Sequence, residues 1–581
     1  MRGIAAQLQQ EYPAENADLG VNVIPLHVQV IGTSVPFMLA MLLGAVTFVL
    51  LIACANVANL QLARGSGSPA RDLSRAALGA GRRRIARQLM TESVLVACIG
   101  GGLGLILAGP IVRALSAFAP RNIARLDDIP IDMTVLLFTF VLSVMTGLLF
   151  GLAPALRISR DGSNELLHAS SRNVTGSHSA RTLRGALVVC EFALAVVLLA
   201  GTGLLIRSLL AVRSVESGFR DRDVVTAQLR FHNALPRARR VALYTEAMER
   251  LGHLPGVRSV GAISTMFWDA NVPKFGLRAV EGKSAESRDQ WSTLTWTTIA
   301  GGYFQALSVP LRRGRFFTDG DRRDAPPVVL VNETMARRFW PGEDPIGKRI
   351  KGFDARGRND EWVTVVGVVG DVRSHGLERA PIAQIFEAQA QSLDETENLV
   401  VSATAAEGIA VAIRKAVGEL DRSAVVSDIA TLDRVLGEQS SQRRFETYLL
   451  SAFAALALAL AGAGIFGMMH YAVLQRTQEL GIRMALGARR RQVLALVLRD
   501  GVGLAALGVG LGVAASAALT RTMASLLFGV TPADPMTFAA VCIALMALAV
   551  AGCWLPAARA LASTRCWLFE AIDSMVACDH S

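Results

Sequence analysis

One stretch of this chain occurs twice, 408 residues apart. Glu479-Leu-Gly-Ile-Arg-Met-Ala-Leu-Gly-Ala488 is followed by Arg489, Arg490 and Arg491. A shorter counterpart, Asp72-Leu-Ser-Arg-Ala-Ala-Leu-Gly-Ala80, is followed by Gly81 and then Arg82, Arg83 and Arg84. Arg75 aligns with Arg483, Leu78, Gly79 and Ala80 with Leu486, Gly487 and Ala488, and Glu92 with Asp500. Gly100, Gly102 and Gly104 fall on Gly508, Gly510 and Gly512. Further on, at an offset of 402, Pro130-Ile-Asp132 matches Pro532-Ala-Asp534 and Pro154-Ala-Leu-Arg157 matches Pro556-Ala-Ala-Arg559. The chain is therefore built on a duplicated unit, with a period far too long for a solenoid.

The repeated segments lie in or beside long apolar runs. Of the 581 residues 52% are hydrophobic and 18% charged, and mean hydropathy is +0.40; this balance marks an integral membrane protein. Runs at 37–63, 89–116, 133–156, 185–212, 449–469, 501–519 and 536–555 are read as seven spans of a hydrocarbon core about 30 Å thick. Three fall in each repeated half, and 185–212 opens the second. Residues 64–88, 157–184 and 473–499 are rich in arginine. Placing all three basic loops in the cytoplasm puts 1–36 and 213–445 outside. The net charge of +11 then reflects cytoplasmic loops and not a nucleic-acid surface.

Residues 213–445 read as a folded external domain with turn residues, strands and short amphipathic helices. Val363–Val369 is expected to be a buried strand, and 326–331 a second one followed by a helix over 332–339. The seven cysteines, Cys54, Cys98, Cys190, Cys542, Cys553, Cys566 and Cys578, have no Cys-x-x-Cys spacing and imply neither a disulfide framework nor a zinc site. Glu281-Gly-Lys-Ser284 ends like a phosphate loop, but Leu277 stands where the first glycine is required. No Gly-x-Ser-x-Gly elbow anchors a hydrolase triad. The reading is of a protein with no catalytic residues, no metal and no cofactor of its own.

Several polar and small residues carry two readings each. The arginine clusters serve positive-inside anchoring, or they flank a helix on the cytoplasmic face that meets a partner or lipid phosphate. The glycine triplets are assigned to close helix packing. Asn56 and Asn59 at a helix end cap or meet interfacial water, or bond across helices. Glu191, well inside a span, is read as a structural ion pair with Arg184, against a proton-relay role.

In combination, the motifs resemble MacB/FtsX-type permease subunits of ABC transporters, specifically the acidobacterial duplicated orphan permease branch. The residues that carry this are Cys54-Ala-Asn-Val-Ala-Asn59, Arg87-Gln-Leu-Met-Thr-Glu-Ser93, Gln475-Arg-Thr-Gln-Glu-Leu-Gly-Ile-Arg-Met-Ala-Leu-Gly-Ala488 and Ser525-Leu-Leu-Phe-Gly529 with Asp534-Pro535. In the external domain they are Gly302-Tyr-Phe304, Gly314-Arg-Phe316 and Phe339-Trp-Pro-Gly-Glu-Asp-Pro-Ile-Gly-Lys348.

The resemblance implies a membrane all-α bundle of about seven transmembrane helices in two repeated halves, with an α+β periplasmic domain of MacB type. It divides the chain into a remnant of a first periplasmic domain (1–36), a first FtsX-like three-helix unit (37–156), a cytoplasmic linker (157–184) and a helix opening the second half (185–212). A MacB-like periplasmic core domain (213–445), a second FtsX-like unit (446–560) and a cytoplasmic tail (561–581) follow. It further implies a non-catalytic subunit of the bacterial inner membrane, coupled to a separate cytoplasmic ATPase of MacB type that binds the ATP, with room for a periplasmic adaptor. Residues similar to the ATPase-coupling element are Asp72, Arg75, Leu78, Gly79 and Ala80 in the first half. In the second they are Glu479, Arg483, Met484, Leu486, Gly487 and Ala488.

The first coupling stretch is one residue short, which would rotate what precedes Arg75 by about 100° in a helix. The first half also lacks the opening span and most of the external domain of the family unit, so the chain is expected to be shortened at its N-terminus. The tail after Arg565 replaces the expected Asp-Pro and helix. A membrane-anchored periplasmic binding or sensor module, or a decayed copy without ATPase coupling, is the alternative. A secondary transporter ranks last, since the repeats are not inverted and no span pairs charges at its midplane.

Overall fold

The computed structural model describes residues 2–11, 25, 34–65, 82–118, 132–160, 178–475, 482–483, 486 and 489–578. Short stretches within these ranges are excepted, the longest being 266–273, 284–293 and 353–360. The described residues form two compact units, Met1–Ser208 with Arg443–Ser581, and Leu209–Gln442. Each apolar run becomes one helix, because a backbone in hydrocarbon must satisfy its own hydrogen bonds.

In the first half, α1 is Arg2–Glu11, α2 Ser34–Gly65, α3 Arg82–Phe118 and α4 Met133–Arg160, and α5, His178–Arg213, opens the second. Asp132 starts α4: its Oδ1 accepts from the amide of Val135 at 2.9 Å, which satisfies a helix-end donor. Helices α3 and α4 touch closely through Gly147, where an added methyl would lie 2.9 Å from Val94 Cα, and through Gly101, where it would strike Ser143. The coupling residues of the first half, Asp72, Arg75, Leu78, Gly79 and Ala80, lie outside the described residues, as do most of 1–36.

The unit Leu209–Gln442 is built on one sheet. Its strands are β1 Val224–Arg230, β2 Val257–Ile263, β3 Lys274–Phe275, β4 Leu277–Val280, β5 Leu294–Gly301 and β6 Leu311–Gly314. They continue as β7 Val328–Asn332, β8 Arg349–Gly352, β9 Val363–Val369, β10 Ala383–Ala388, β11 Asn398–Ala403 and β12 Val425–Thr431. Across the sheet the order is β12-β1-β11-β2-β5-β10-β7-β9-β8-β4, with β3 on β5 and β6 on β9. Among the described residues only β5/β10 and β7/β9 pair in parallel. The helices are α6 Arg237–Gly252, α7 Tyr303–Ala306, α8 Glu333–Phe339, α9 Gln389–Ser392, α10 Ile409–Leu420 and α11 Leu432–Gln439.

Helical spacing decides which faces this unit buries. On α6 the buried set is Leu243, Tyr244, Ala247, Met248 and Leu251, and on α10 it is Ile409, Ile413 and Val417. Both stripes join the β1, β2 and β11 side chains in one core. A second core packs Met335, Phe339 and Trp340 against Val329, Val331, Val365 and Ile385. Asn332 ties this core to the backbone: its Oδ1 accepts from Met335 N at 2.9 Å and Gln384 N at 3.0 Å, and its Nδ2 donates to Ile382 O at 2.8 Å. The expected strand at 363–369 and the strand–helix pair over 326–339 are both present.

The chain then re-enters the helical unit as α12 Ser441–Gln475, α13 Arg490–Leu519 and α14 Pro535–Cys578. Among the described residues six helices, including α5 and α12 to α14, are long and apolar enough to cross a membrane, and the seventh apolar run lies in α4, with Met133–Leu148 as a further apolar segment. Val188, Phe192 and Val196 of α5 pack with Ala461 and Ile465 of α12, Ala505 and Val509 of α13, and Leu545 and Ala549 of α14. A second cluster joins Ile52 of α2, Leu198 of α5 and Ala457 of α12.

Candidate functional site

The segment between α12 and α13 is the first candidate. Ile482 and Leu486 are linked by a backbone hydrogen bond of 2.9 Å from Leu486 N to Ile482 O, a single α-turn. Their side chains are 61% and 82% exposed. Four residues apart on a turn, two such side chains share one face. Arg489 then caps α13, its amide donating to Gln492 Oε1 at 2.9 Å, and Arg491 is exposed. The apolar pair is thus exposed, with arginines beside it in sequence. Of the other expected coupling residues, Arg483 lies exposed in this turn, whereas Glu479, Met484, Gly487 and Ala488 lie outside the described residues.

The glycine triplets do not all do the same work. A methyl on Gly508 would lie 2.7 Å from both Phe192 Cβ and Val189 O, and one on Gly512 would lie 2.6 Å from Val196 Cβ and 2.8 Å from Ala193 O. These two glycines seat α13 directly on the backbone of α5. At Gly510, and at Gly100, Gly102 and Gly104, nothing stands within 4 Å. Among the described residues nothing packs against those four: Gly510 faces away from α5, and in the first half α4 meets α3 at Gly101 while Gly100, Gly102 and Gly104 face away from it. Its close contacts run through Gly101 and Gly147 instead.

Asp534 is the counterpart of Asp132 and does more. It accepts from the Thr537 hydroxyl at 2.6 Å and amide at 2.9 Å, and it is ion-paired with Arg207 of α5. The Thr537 hydroxyl, then its amide and the Arg207 guanidinium, hold the Asp534 carboxyl below the usual carboxylate range against the opposing effect of burial.

A polar cluster lies where α2, α5 and α12 meet. Asn56 Nδ2 donates to Leu460 O at 2.9 Å, and Asn59 Nδ2 donates to Glu191 Oε1 at 3.3 Å. Both asparagines thus bond across helices. The ion pair expected between Glu191 and Arg184 is not formed: Arg184 lies over the Tyr471 ring, 4.8 Å from its centroid. Gly464, which sequence reasoning passed over, makes the room, since a methyl there would strike Glu191 Oε2 and Asn56 Oδ1. Elsewhere, Glu281–Lys283 form the turn leaving β4, with Glu281 Oε1 accepting from Arg349 Nη2 at 2.7 Å.

Comparison with known families matches both parts of this architecture. The family described as MacB-like periplasmic core domain matches residues 187–420. The one described as FtsX-like permease C-terminal matches twice, at 43–162 and 451–564. The chain belongs to the MacB/FtsX type of ABC transporter permease. The two FtsX-like matches begin 408 residues apart, from 43 to 451, the offset at which the motifs align. This permease is a multi-pass membrane protein with a MacB-like domain between its two FtsX-like regions.

Among curated relatives, it is 30% identical over 248 residues to the macrolide export ATP-binding/permease protein MacB of Nitrobacter winogradskyi, covering 39% of this chain and 36% of that protein. It is 24% identical over 254 residues to the uncharacterized ABC transporter permease YknZ of Bacillus subtilis, covering 41% of this chain and 63% of that one. The permease thus spans little more than a third of the MacB relative. The crystal structure of the periplasmic region of MacB from Actinobacillus actinomycetemcomitans aligns at a TM-score of 0.25 and 16% identity, over 38% of this chain and 94% of that one.

Proposed function

We infer that this permease is a non-catalytic subunit of an inner-membrane ABC transporter. It couples ATP hydrolysis by a separate cytoplasmic ATPase of MacB type to shape changes in its external domain. The ATPase binds the nucleotide; the permease holds no cofactor. The exposed Ile482–Leu486 face, bordered by Arg483, Arg489 and Arg491, carries this reading. It sits between two spans of the FtsX-like region, and desolvating such an apolar pair against a partner is favourable at roughly 25 cal/mol per Å². The relative named as an ATP-binding/permease protein supports the kind of partner.

Co-purification with candidate ATPases, followed by ATP hydrolysis in lipid nanodiscs with and without the permease, tests the proposal. A stable complex with stimulated hydrolysis is expected, and Arg483→Glu is expected to abolish the stimulation while leaving folded protein. Unchanged stimulation by that variant would remove the case for this surface. A properly inserted chain that binds no ATPase would favour a sensor module.

A further inference from the structure

Glu191 lies apart in sequence from the surface proposed for ATPase coupling and is fully buried. Its helix neighbours Val188 and Phe192 belong to one apolar cluster, and Ile52, Leu198 and Ala457 form another beside it. Oε1 accepts one hydrogen bond, from Asn59 Nδ2. Among the described residues neither Oε2 nor Asn59 Oδ1 has a hydrogen-bond partner. Asn56 commits its amide group to Leu460 O, which leaves its Oδ1 as the atom bordering the space in front of Gly464. Glu191 Oε2 borders the same space. Three helices drawn from both halves of the duplication thus gather oxygen acceptors around the carboxyl, and of the two asparagine amides only that of Asn59 donates to it.

An ionised carboxylate is poorly served there. A buried charge needs an opposite charge or several donors, and burial without them is costly. The charged and titratable groups of the surrounding helices are engaged elsewhere or make no hydrogen bond to Glu191. Arg184 lies over Tyr471, and His470 stacks on Phe466 with centroids 6.0 Å apart. Cys54 on α2, Cys190 on α5, Arg499 and Asp500 on α13 and Cys553 on α14 form no bond to the carboxyl. A proton on Oε2 removes the charge and converts a surplus acceptor into a donor for an asparagine Oδ1. A metal cation in its place would face the Asn59 amide, which already points its hydrogens at the carboxyl.

We propose that Glu191, Asn56 and Asn59 form a proton-holding site, in which a neutral carboxylic acid fastens α2 to α5 and α12 beside Gly464. The inference stands apart from the transporter reading and is tested without an ATPase. Infrared difference spectra of the full chain in nanodiscs would compare wild type with Glu191→Gln, in sodium, potassium and choline buffers. The expected result is a buried carboxylic-acid C=O band, lost in Glu191→Gln and the same in all three buffers. A carboxylate band in its place, or an acid band that appears only in choline, would overturn the proposal, the latter in favour of a metal-cation site. Should Glu191→Gln not fold, Asn59→Leu is expected to shift the wild-type acid band by removing the hydrogen bond to Oε1. Absence of any acid band from both wild type and Asn59→Leu would be equally decisive against it.

Discussion

The two halves of the helical unit share motifs but not surroundings, and α5 is the difference. In the second half, α5 receives Gly508 and Gly512 on its backbone, pairs Arg207 with Asp534, and sets Gly203 against Thr537, where an added methyl would lie 2.7 Å from Thr537 Cγ2. Half of its most apolar stretch is buried. In the first half none of the most apolar stretch of α3 is buried, and Gly100 and Gly104 meet open space. The same residue is a contact in one place and an idle position in the other. A motif therefore records what a helix is able to pack against, and only its neighbour makes it a contact.

Gly512→Ala and Gly508→Ala should break this comparison most strongly. Each puts a methyl against α5 backbone that cannot move aside, for a loss of about 1–3 kcal/mol. Gly104→Ala and Gly100→Ala should instead be neutral or stabilising by up to about 1 kcal/mol, since glycine is a poor helix former. Thermal unfolding in nanodiscs would compare the four; losses of the same sign in both halves would refute the assignment.

Asp534→Ala should cost more than Asp132→Ala in the same assay. Asp132→Ala removes one helix cap, worth about 1 kcal/mol, whereas Asp534→Ala also strips Thr537 and Arg207 of their partner. Equal losses would mean that the Arg207 pair contributes nothing. The pH dependence sharpens this. Because the folded Asp534 carboxyl titrates below its unfolded value of about 3.9, its contribution is complete above that value and is lost as pH falls through the lower folded one. Asp534→Asn should flatten the acid limb of the stability curve; an unchanged limb would assign it to other carboxylates.

The smallest effect on stability belongs to Ile482→Ser and Leu486→Ser. Both side chains are exposed, so unfolding should move by less than about 0.5 kcal/mol while ATPase stimulation falls. A drop in melting temperature with stimulation intact would make this turn a packing element.

Much of the architecture was legible because it is written in local pattern. The apolar runs became helices, the Asp-containing starts of α4 and α14 became caps at the expected offset, and the apolar run before Asn332 became a strand feeding a capped helix. What escaped was adjacency. Sequence spacing pairs Glu191 with Arg184, two turns away on the same helix, but its partner is Asn59, 132 positions distant in sequence. All three polar residues of the cluster stood out individually; nothing in their spacing says that α2 and α5 touch. Gly464 had no pattern to mark it, since its importance comes from what lies opposite. The glycine triplets failed differently, by suggesting that equal sequence guarantees an equal neighbour.

The meeting of α2, α5 and α12 also has an order in time. A ribosome completes α2 first, then α5, and must make the whole sheet domain before it reaches Gly464 on α12. Asn59 and Glu191 are thus both made before the Leu460 carbonyl that occupies Asn56. An early pairing of these two helices would shelter the acidic side chain during insertion, and the last quarter of the chain, from Ser441 on, would close the site. A variant lacking Asn59 would then be expected to suffer at the translocon, before any finished molecule exists to be destabilised.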